Sequence, residues 1–362
     1  MTESDNGKAP LRFGVVGLGY WGPNLLRVLA EMHDAEVGWI CDLDAARLAR
    51  FGRRYPMAQQ TSDVEQVLSD PDVDAVVIAT PVFTHFDLAC RALRAGKHTF
   101  VEKPLASSSE QASLMLQLAA EEKKVLMCGH TFVYSPPVRA VKKMTETGEL
   151  GEVFFVSSSR VNLGLHQPDV SVIWDLGPHD FSILLYWLGE TPTKVRAVGR
   201  DSIVPGIPDV AFVTLSYDSG IVANVELSWL APSKLRRTVI VGSEKMVVYD
   251  DGAPEPVRVF DHGVVYKDPE TFGEHQLSYR TGDIVSPRID TWEPLTEEMS
   301  DFVAAAREGR EPVASAGMAR NVVRLAEAAD LSLRQGGREV EIRNVVKEQL
   351  SQPTSDAELA IR

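Results

Sequence analysis

The sequence is poor in cysteine and has no long hydrophobic run. Only three of its 362 residues are cysteines, Cys41, Cys90 and Cys128, and no two of them are spaced as C-x-x-C. An odd number of scattered cysteines, each beside or within an apolar stretch, argues against a disulfide framework and predicts buried thiols in a reducing compartment. No apolar run approaches the ~18 residues of a membrane-spanning helix. We therefore expect a cytoplasmic protein with no membrane partner.

Basic side chains are also scarce relative to acidic ones. There are 37 Lys and Arg residues against 51 Asp and Glu residues, a formal net charge of −14. This surplus of negative charge repels nucleic acid, so no nucleic-acid partner is expected. The eight histidines are scattered and form no H-E-x-x-H pattern, so no metal site is predicted. The polar residues 1–10 predict a flexible tail without a signal or transit peptide.

The length of 362 residues favours two domains, and the first half of the chain alternates between two hydrophobic periods. The strand-like run "RFGVVG" is followed by a glycine turn, the helical pattern "PNLLRVLAEMH" and a second strand, "EVGWIC". Further helices are predicted over 44–54, 63–69, 84–95 and 108–122, with strands over 74–80, 98–103 and 124–129. This alternation predicts an α/β fold whose residues 11–131 form a Rossmann domain with a parallel sheet.

The first turn, "GLGYWG", matches G-x-G-x-x-G at Gly17, Gly19 and Gly22. It lies between a predicted strand and a predicted helix, where the helix N-terminus can bind a pyrophosphate. Asp42 follows at the end of the second strand, where a carboxylate accepts hydrogen bonds from ribose hydroxyls and repels a 2′-phosphate. We therefore predict that NAD(H) is bound in preference to NADP(H), with Tyr20 and Trp21 completing the turn. The alternative, a plain turn with Asp42 as a helix cap, does not explain the joint spacing.

The second half of the chain reads as a run of strands. The segments "EVFFVSSSRVN", "DVAFVTLSYD", "GIVANVELSWL" and "RRTVIVGS" are separated by turn residues and predict a large, mostly antiparallel sheet. In "GIVANVELSWL" apolar residues alternate with mixed ones, so one sheet face is predicted to be buried. Helices near 294–308 and 317–335 close this C-terminal α+β domain, which is predicted to bind substrate and form the oligomer over residues 132–345. Residues 346–362 are predicted to be a second flexible tail.

The segment "SVIWDLGPHDFSILLYWLG" at 171–189 places polar residues at the start of an apolar helix. If this helix begins near Asp175, then Asp175 and His179 lie one above the other on the same helix face, which suits a shared catalytic task. The alternative is structural: Asp175 is an N-cap and His179 a half-buried ring.

Three stretches together with the glycine turn resemble the glucose-fructose oxidoreductase / inositol dehydrogenase / rhizopine-catabolism (Gfo/Idh/MocA) family. They are "ATPVFTHFDLACRALRAGKHTFVEKPLA", "CGHTFVYSPPVR" and "IWDLGPHDFSILLYWLG", and the likeness extends over about residues 11–342. The resemblance implies that Lys103 of E-K-P reaches the nicotinamide ribose and the substrate, and that His179 of D-x-x-x-H lies beside the carbon that gives up hydride, with Asp175 nearby. It implies a cis Lys103–Pro104 bond and a homodimer or homotetramer. The residues expected at the nicotinamide end are Thr80, Pro81, His85 and Glu102.

The predicted function is an NAD-dependent oxidoreductase that moves hydride between nicotinamide and a secondary alcohol of a pyranose. The resemblance to family members that modify activated sugars implies a nucleotide-linked sugar that reacts at C3. A histidine with a pKa near ~6.5 suits the exchange of the hydroxyl proton, so His179 is the predicted acid/base. The Lys103 ammonium is predicted to stabilise the alkoxide at the same oxygen. Arg160 and Asn162 are predicted substrate contacts, although loop polarity explains them nearly as well.

Several alternatives remain open at the level of sequence. An inositol, free-sugar or glycoside dehydrogenase would use the same residues. A non-catalytic NAD-binding sugar sensor would not need Lys103 and His179, and a glycosidase with tightly held NAD would not release NADH. Lys103 could be a solvated turn lysine and His85 a helix-face histidine without a task. The basic residues Lys234, Arg236 and Arg237 could contact a diphosphate or form a solvated basic strand edge.

Overall fold

The computed structural model describes residues 9–164, 166, 170–267 and 276–344. The chain divides into two compact units, one of Met1–Ser135 with Trp292–Val323 and one of Pro136–Thr291 with Arg324–Arg362. The predicted tails fall outside the described residues, apart from Ala9 and Pro10.

The first unit contains a six-stranded parallel sheet. Its strands, in the order β3-β2-β1-β4-β5-β6, are β1 (Leu11–Val16), β2 (Ala35–Cys41), β3 (Gln59–Thr61), β4 (Ala75–Ile78), β5 (His98–Glu102) and β6 (Leu126–Gly129). The continuous apolar character of β4 follows from its burial, since a parallel sheet between helices has no solvated face. The predicted Rossmann fold is confirmed, although the short, polar β3 carries no strand pattern and was not predicted.

Helices connect these strands, and three of them begin at a polar residue whose side chain caps the first turn. The helices are α1 (Gly22–Glu31), α2 (Ala45–Arg54), α3 (Val64–Ser69), α4 (His85–Arg94) and α5 (Ser109–Glu121). Asp44, Asp63 and Ser108 each accept hydrogen bonds from backbone N–H groups at the starts of α2, α3 and α5. These bounds agree with the predicted helices to within two residues.

The second unit contains a nine-stranded mixed sheet in the order β14-β13-β12-β11-β7-β10-β9-β8-β15. The strands are β7 (Val153–Leu163), β8 (Lys194–Arg200), β9 (Val210–Ser216), β10 (Val222–Ser228), β11 (Leu230–Gly242), β12 (Met246–Asp250), β13 (Val257–Lys267), β14 (Gln276–Val285) and β15 (Val340–Glu341). Strands β7 and β10 pair in parallel, and the other neighbours pair antiparallel, which confirms the predicted sheet type. Strands β13 and β14 were not predicted, because polar residues interrupt their apolar alternation.

The helices of the second half are α6 (Pro136–Glu146), α7 (Val172–Leu188), α8 (Pro294–Glu308) and α9 (Ala316–Arg334). Helix α6 was not predicted. Its Val138 carbonyl accepts a hydrogen bond from the indole N–H of Trp187 on α7 at 2.8 Å. The division between the units passes through α9.

Helix α8 belongs to the first unit, whereas the sequence analysis assigned it to the C-terminal domain. Its Phe302 is fully buried and contacts the rings of Phe13 on β1 and Phe100 on β5, at centroid distances of 6.1 and 5.8 Å. The apolar face of α8 therefore completes the core beside the parallel sheet, which its position along the chain does not reveal.

Among the described residues, no helix combines the length and the apolar character that crossing a bilayer requires.

Candidate active site

The three glycines of the turn after β1 have three different surroundings. Gly17 has a φ of +95°, and an added Cβ would lie 2.5 Å from the carbonyl oxygen of Ala79. A Cβ on Gly22 would lie 1.9 Å from the carbonyl oxygen of Gly17, so only hydrogen fits where α1 approaches the turn. A Cβ on Gly19 would meet nothing closer than Arg47 Nη1 at 3.9 Å. The turn therefore fits a dinucleotide: two glycines permit its geometry and the third leaves the backbone open to a pyrophosphate.

Helix α1 begins directly after this turn. Its N-cap position, Trp21, makes no side-chain capping bond, and Pro23 lies in the first turn. The N-terminal N–H groups and the helix dipole therefore remain suited to an anionic ligand. Tyr20 is 87% exposed and Trp21 40% exposed. Both rings thus lie at the surface of the predicted cofactor turn.

The Asp42 side chain is fixed against the glycine turn. Its Oδ2 accepts a hydrogen bond from the N–H of Leu18 at 2.6 Å, and its Oδ1 accepts one from the N–H of Asp44 at 2.8 Å. Helix α2 is capped by Asp44, so the alternative that assigned the cap to Asp42 is wrong. Arg47 Nη1 lies 3.7 Å from Asp42 Oδ2. The carboxylate that the sequence spacing singled out therefore lies beside the turn, where it could bind a ribose diol.

His85 connects the loops that follow β4 and β5. Its Nε2 is 2.8 Å from the carbonyl oxygen of Thr80 and its Nδ1 is 2.9 Å from the carbonyl oxygen of Pro104. The ring is buried, and this burial lowers the pKa of His85 although the two carbonyls favour protonation. His85 is therefore no idle surface residue of a helix. The two hydrogen-bond contacts of His85 are with backbone carbonyls, so they position the backbone. The prediction that His85 and the exposed Pro81 lie at the nicotinamide end stays a prediction.

The segment Glu102–Pro104 follows β5. The Lys103–Pro104 peptide bond is cis, as predicted. The Glu102 side chain is buried, and its Oε2 accepts a hydrogen bond from the N–H of Lys103 at 3.1 Å. Burial raises the pKa of Glu102 to about 7, and the Lys103 ammonium opposes this effect. Lys103 itself is half-buried.

A second group of buried polar side chains lies in the same unit and was missed by the sequence analysis. Thr131 Oγ1 donates a hydrogen bond to Glu298 Oε2 at 2.7 Å. Burial raises the pKa of Glu298 well above its ordinary value, with the Glu102 charge acting in the same direction. Burial and the Lys103 charge lower the pKa of His130 to about 3, and neither of its ring nitrogens has a hydrogen-bond partner among the described residues. One signal was present: Glu298 occupies the apolar face of α8, four residues before the buried Phe302.

In the second unit, helix α7 carries the D-x-x-x-H residues. It begins at Val172, not near Asp175, because Ser171 takes the N-cap position and the N–H of Val172 bonds the carbonyl of Pro208 at 2.9 Å. Asp175 is thus inside the first turn, and the alternative that made it the N-cap is wrong. Its Oδ2 accepts a hydrogen bond at 3.1 Å from the indole N–H of Trp229, the residue that follows β10.

His179 lies one helical turn beyond Asp175 and is half-buried. Its backbone carbonyl accepts a hydrogen bond from Ser182 Oγ at 2.9 Å. Pro178 lies inside the helix and has no N–H for the carbonyl of Trp174. The four-residue spacing of Asp175 and His179 therefore holds on a continuous helix, which places both residues on one face.

Arg160 was predicted to contact the substrate, but its side chain is almost fully buried. Its side chain is 4% exposed and its Nε forms an ion pair with Asp180, which is 3% exposed. Ser158 Oγ donates a second hydrogen bond to Asp180, at 2.7 Å. The half-buried Asn162 continues the same face of β7. The contacts of Arg160 are thus with α7, next to His179, and a role in binding substrate stays a prediction for Arg160 and for Asn162.

The basic residues near 234–237 lie on β11, which is an interior strand between β7 and β12. The pairing of β11 with β12 begins at Arg237, and Lys234 lies before it, so the alternative of a solvated basic strand edge stays open. Arg236 Nη1 is 2.9 Å from Asp251 Oδ2, whereas Lys234 and Arg237 are exposed.

Comparisons with known proteins agree with this architecture. Residues 11–130 match the profile of GFO_IDH_MocA, described as an oxidoreductase family with an NAD-binding Rossmann fold, and residues 138–248 match the GFO/IDH/MocA C-terminal domain. The chain is 30% identical over 245 residues to the UDP-N-acetylglucosamine 3-dehydrogenase of Acidithiobacillus ferrooxidans, covering 66% of this chain and 74% of that protein. It is 27% identical over 330 residues to an inositol 2-dehydrogenase of Rhizobium meliloti, covering 88% and 96%.

A solved structure also resembles most of the chain. The crystal structure of GenD2 from gentamicin A biosynthesis, in complex with NAD, superposes with a TM-score of 0.79 at 25% identity, covering 94% of this chain and 99% of GenD2. The matches to both family models and the similarity to named dehydrogenases identify the chain as an oxidoreductase. The chain belongs to the GFO/IDH/MocA family of oxidoreductases.

Proposed function

We propose that this protein interconverts a CH–OH group of a sugar and the corresponding carbonyl group, with His179 as the acid/base. The observation that carries the proposal is the arrangement of α7: Asp175, held by the indole of Trp229, lies one turn before His179 on the same face. A carboxylate placed near an imidazole favours the protonated ring that results when the base accepts a hydroxyl proton. Bound nicotinamide would supply the hydride acceptor or donor.

In the same proposal, Lys103 stabilises the alkoxide. A positioned ammonium near a developing negative charge contributes on the order of 3 kcal/mol to lowering the barrier in a site that excludes water. The buried ring of His85 supports this role because it joins the carbonyl of Pro104 to that of Thr80, which restrains the backbone beside Lys103.

The preferred cofactor in this proposal is NAD(H). The anchored Asp42 carboxylate supports it, because a carboxylate at the adenine-side ribose repels a 2′-phosphate. Arg47 favours the opposite preference, but its guanidinium is shared between Asp42 and Asp44, at 3.7 and 3.4 Å. Asp42→Ala is expected to lower the ratio of kcat/KM with NAD to kcat/KM with NADP. Equal use of both cofactors by the unmodified protein would contradict the preference.

The proposed substrate is a nucleotide-linked pyranose that reacts at C3. Its support is the similarity to a UDP-N-acetylglucosamine 3-dehydrogenase, together with the exposed Lys234 and Arg237, which are available to a diphosphate. Inositol is the second candidate, because inositol 2-dehydrogenases are also among the relatives. A sugar sensor without activity is disfavoured by Asp175 and His179, which lie on one face of α7 and which a sensor would not need.

The proposed assembly is a homodimer or homotetramer formed through the second unit's sheet. One face of this sheet exposes Phe155 beside Val222 and Phe212 beside Val198, in register on neighbouring strands. Exposed apolar side chains grouped on a sheet face are typical of a protein interface.

The test is an absorbance screen for reduction of NAD with sugar nucleotides, free sugars, glycosides and inositols. We expect steady-state NADH production with a sugar nucleotide. A fast response to inositol alone would favour the second candidate, and tight NAD binding without turnover on any of these compounds would favour the sensor.

The role of His179 is tested with the substrate that this screen identifies. His179→Ala is expected to lower kcat by about 10²–10⁴-fold and to remove the acidic limb of the pH profile of kcat. His33→Ala, which replaces an exposed histidine of the first unit, is the matched control and is expected to behave like the unmodified protein. Near-normal turnover of His179→Ala with an unchanged pH profile would show that the base has been assigned wrongly.

A further inference from the structure

Trp229 is a buried residue whose one polar side-chain atom is bonded to a charged group. It directly follows β10 and is almost fully buried. Its indole N–H donates a hydrogen bond at 3.1 Å to Oδ2 of Asp175 on α7. A buried indole N–H needs an acceptor, but a backbone carbonyl satisfies it equally well. The bond to a carboxylate on the helix that carries His179 therefore points to a role beyond packing.

The backbone of Trp229 is held on both sides by neighbouring segments of the second unit. Its N–H donates a hydrogen bond to the carbonyl of Asp209 at 3.0 Å, and its carbonyl accepts one from the N–H of Gly164 at 2.9 Å. A Cβ on Gly164 would lie 2.7 Å from Cδ1 of Trp229, so the indole packs directly against the backbone at Gly164. The indole thus has a well-defined position from which its N–H reaches Asp175.

An imidazole also packs against the indole. The ring centroids of His166 and Trp229 are 5.2 Å apart, with the ring planes at 60°. Nε2 of His166 lies 3.7 Å from Oδ2 of Asp209, and this carboxylate oxygen accepts hydrogen bonds from the N–H groups of Ser202 and Ile203 at 2.9 and 2.8 Å. Asp209 therefore lies next to both the backbone of Trp229 and the imidazole that supports its ring.

A carboxylate can assist a neighbouring imidazole only in a suitable rotamer, and a rigid hydrogen-bond donor restricts the rotamers that it adopts. Asp175 lies one helical turn before His179 on α7. We propose that Trp229 is a positioning residue, whose indole N–H holds the Asp175 carboxylate in the orientation that assists His179. This inference rests on the proposed function, because it requires His179 to be the acid/base.

The first test removes the indole N–H and keeps an aromatic ring. Kinetics are measured with NAD⁺ and with whichever of UDP-N-acetylglucosamine, glucose and inositol gives the fastest NADH production. Trp229→Phe is expected to lower kcat by about 10-fold, since the loss of one hydrogen bond to a charged group typically has an effect of this size. The KM of the same compound should change by less than about 3-fold, because an interaction that acts on the base affects the chemical step rather than substrate binding.

Trp187→Phe is the matched control. Trp187 lies on α7 itself, is also almost fully buried, and donates its indole N–H to the backbone carbonyl of Val138 at 2.8 Å. Both variants lose one buried indole hydrogen bond, so urea unfolding should show similar losses of stability. Only Trp229→Phe is expected to lower kcat. Equal values of kcat in the two variants would overturn the inference.

A double-mutant cycle shows whether Trp229 acts through Asp175. In Asp175→Ala the indole has no carboxylate to hold, so the addition of Trp229→Phe should lower kcat further by less than about 2-fold. A purely structural role of Trp229 would instead lower kcat by the same factor in both backgrounds. Such equal losses would also overturn the inference.

Nuclear magnetic resonance tests the hydrogen bond without turnover and without Trp229→Phe. Nitrogen-15 labelling of the six tryptophans gives six indole N–H signals. Asp175→Ala is expected to move the signal of Trp229 upfield, because the N–H loses a charged acceptor. Trp174→Phe removes the signal of the tryptophan that precedes Asp175, so a shift of that neighbour is recognised.

The outcomes separate this inference from the proposed function. If the unmodified protein produces NADH and no indole signal other than that of Trp174 moves in Asp175→Ala, the positioning role of Trp229 fails while the proposed function stands. If the unmodified protein produces no NADH with any of the compounds, the proposed function fails, and the positioning role fails with it.

Discussion

At the residue scale, the unusual side chains of this protein are buried histidines and carboxyl groups rather than surface ones. His130 is buried in the first unit, and neither ring nitrogen has a hydrogen-bond partner among the described residues. Its neutral form is therefore favoured by burial and by the nearby charge of Lys103. Lys103 was found from its motif, whereas His130 lies in the family-like stretch "CGHTFVYSPPVR" but received no role, because the pattern does not show that its ring is buried.

His130 makes folding stability depend on pH. Its pKa is about 3 in the folded protein and near ~6.5 when unfolded, so the unfolded state binds more protons between these values. The free energy of unfolding is therefore highest above pH ~6.5 and falls as the pH falls towards 3. At pH 5 it is about 2 kcal/mol lower than above pH ~6.5 because of His130. We expect His130→Leu to remove this loss, as measured by urea unfolding at pH 7.5 and pH 5 under otherwise equal conditions.

The control is His33→Leu, which replaces an exposed histidine and should retain the acid sensitivity of the unmodified protein. An equal loss of stability at pH 5 in His130→Leu and in the unmodified protein would show that His130 is not buried in its neutral form.

At the element scale, a buried charge pair connects α7 to the mixed sheet. Arg160 on β7 and Asp180 on α7 are both almost fully buried, and Ser158 donates a further hydrogen bond to Asp180 while lying 2.8 Å from the hydroxyl of Thr238 on β11. Since Asp180 follows His179 directly, this pair restrains the helical turn that carries the proposed base. The sequence predicted this helix with a start near Asp175, whereas it begins at Val172. The difference arises because Ser171 takes the N-cap position and the carbonyl of Pro208 accepts a hydrogen bond from the N–H of Val172.

Breaking this pair is expected to be costly. Arg160→Met leaves the Asp180 carboxylate buried without its cation, which should lower the free energy of unfolding by about 3–5 kcal/mol. Combining Arg160→Met with Asp180→Leu should recover a large part of that loss, because no unpaired charge remains. Urea unfolding followed by circular dichroism gives both values.

An exposed ion pair of the same unit provides the comparison. Lys245 Nζ is 2.8 Å from Glu149 Oε1, and Lys245→Met should change the stability by less than about 1 kcal/mol. If Arg160→Met lowers the free energy of unfolding no more than Lys245→Met does, the pair does not restrain α7 in this way. The same conclusion follows if the double variant is less stable than Arg160→Met.

At the scale of the whole molecule, the chain forms two units that do not follow its linear order. The first unit takes Trp292–Val323 from near the end of the chain, although the sequence analysis placed this segment in the C-terminal domain. The second unit has a sheet whose exposed face combines apolar and polar residues. Such a face supports the proposed self-association.

Introducing charge into this face should dissociate the assembly. Phe155→Glu combined with Phe212→Glu would place two carboxylates in an interface that depends on apolar contact, and we expect the oligomer to fall to a smaller species. Light scattering coupled to size-exclusion chromatography measures the mass in solution. Met57→Glu, at a residue that is 90% exposed in the first unit, is the control and should leave the mass unchanged. A double variant with unchanged mass would place the interface elsewhere.

The sequence by itself determined the Rossmann sheet, the glycine turn and the alternation of β10, because strand periods and glycine spacing are encoded by residues that are close along the chain. The cis Lys103–Pro104 bond was implied by the family resemblance and is confirmed. Only the tertiary structure decided that Glu298 of α8 belongs with Glu102 of β5, and that Arg160 pairs with Asp180. Burial and charge pairing depend on which distant segments pack together, and local pattern carries little information about that choice.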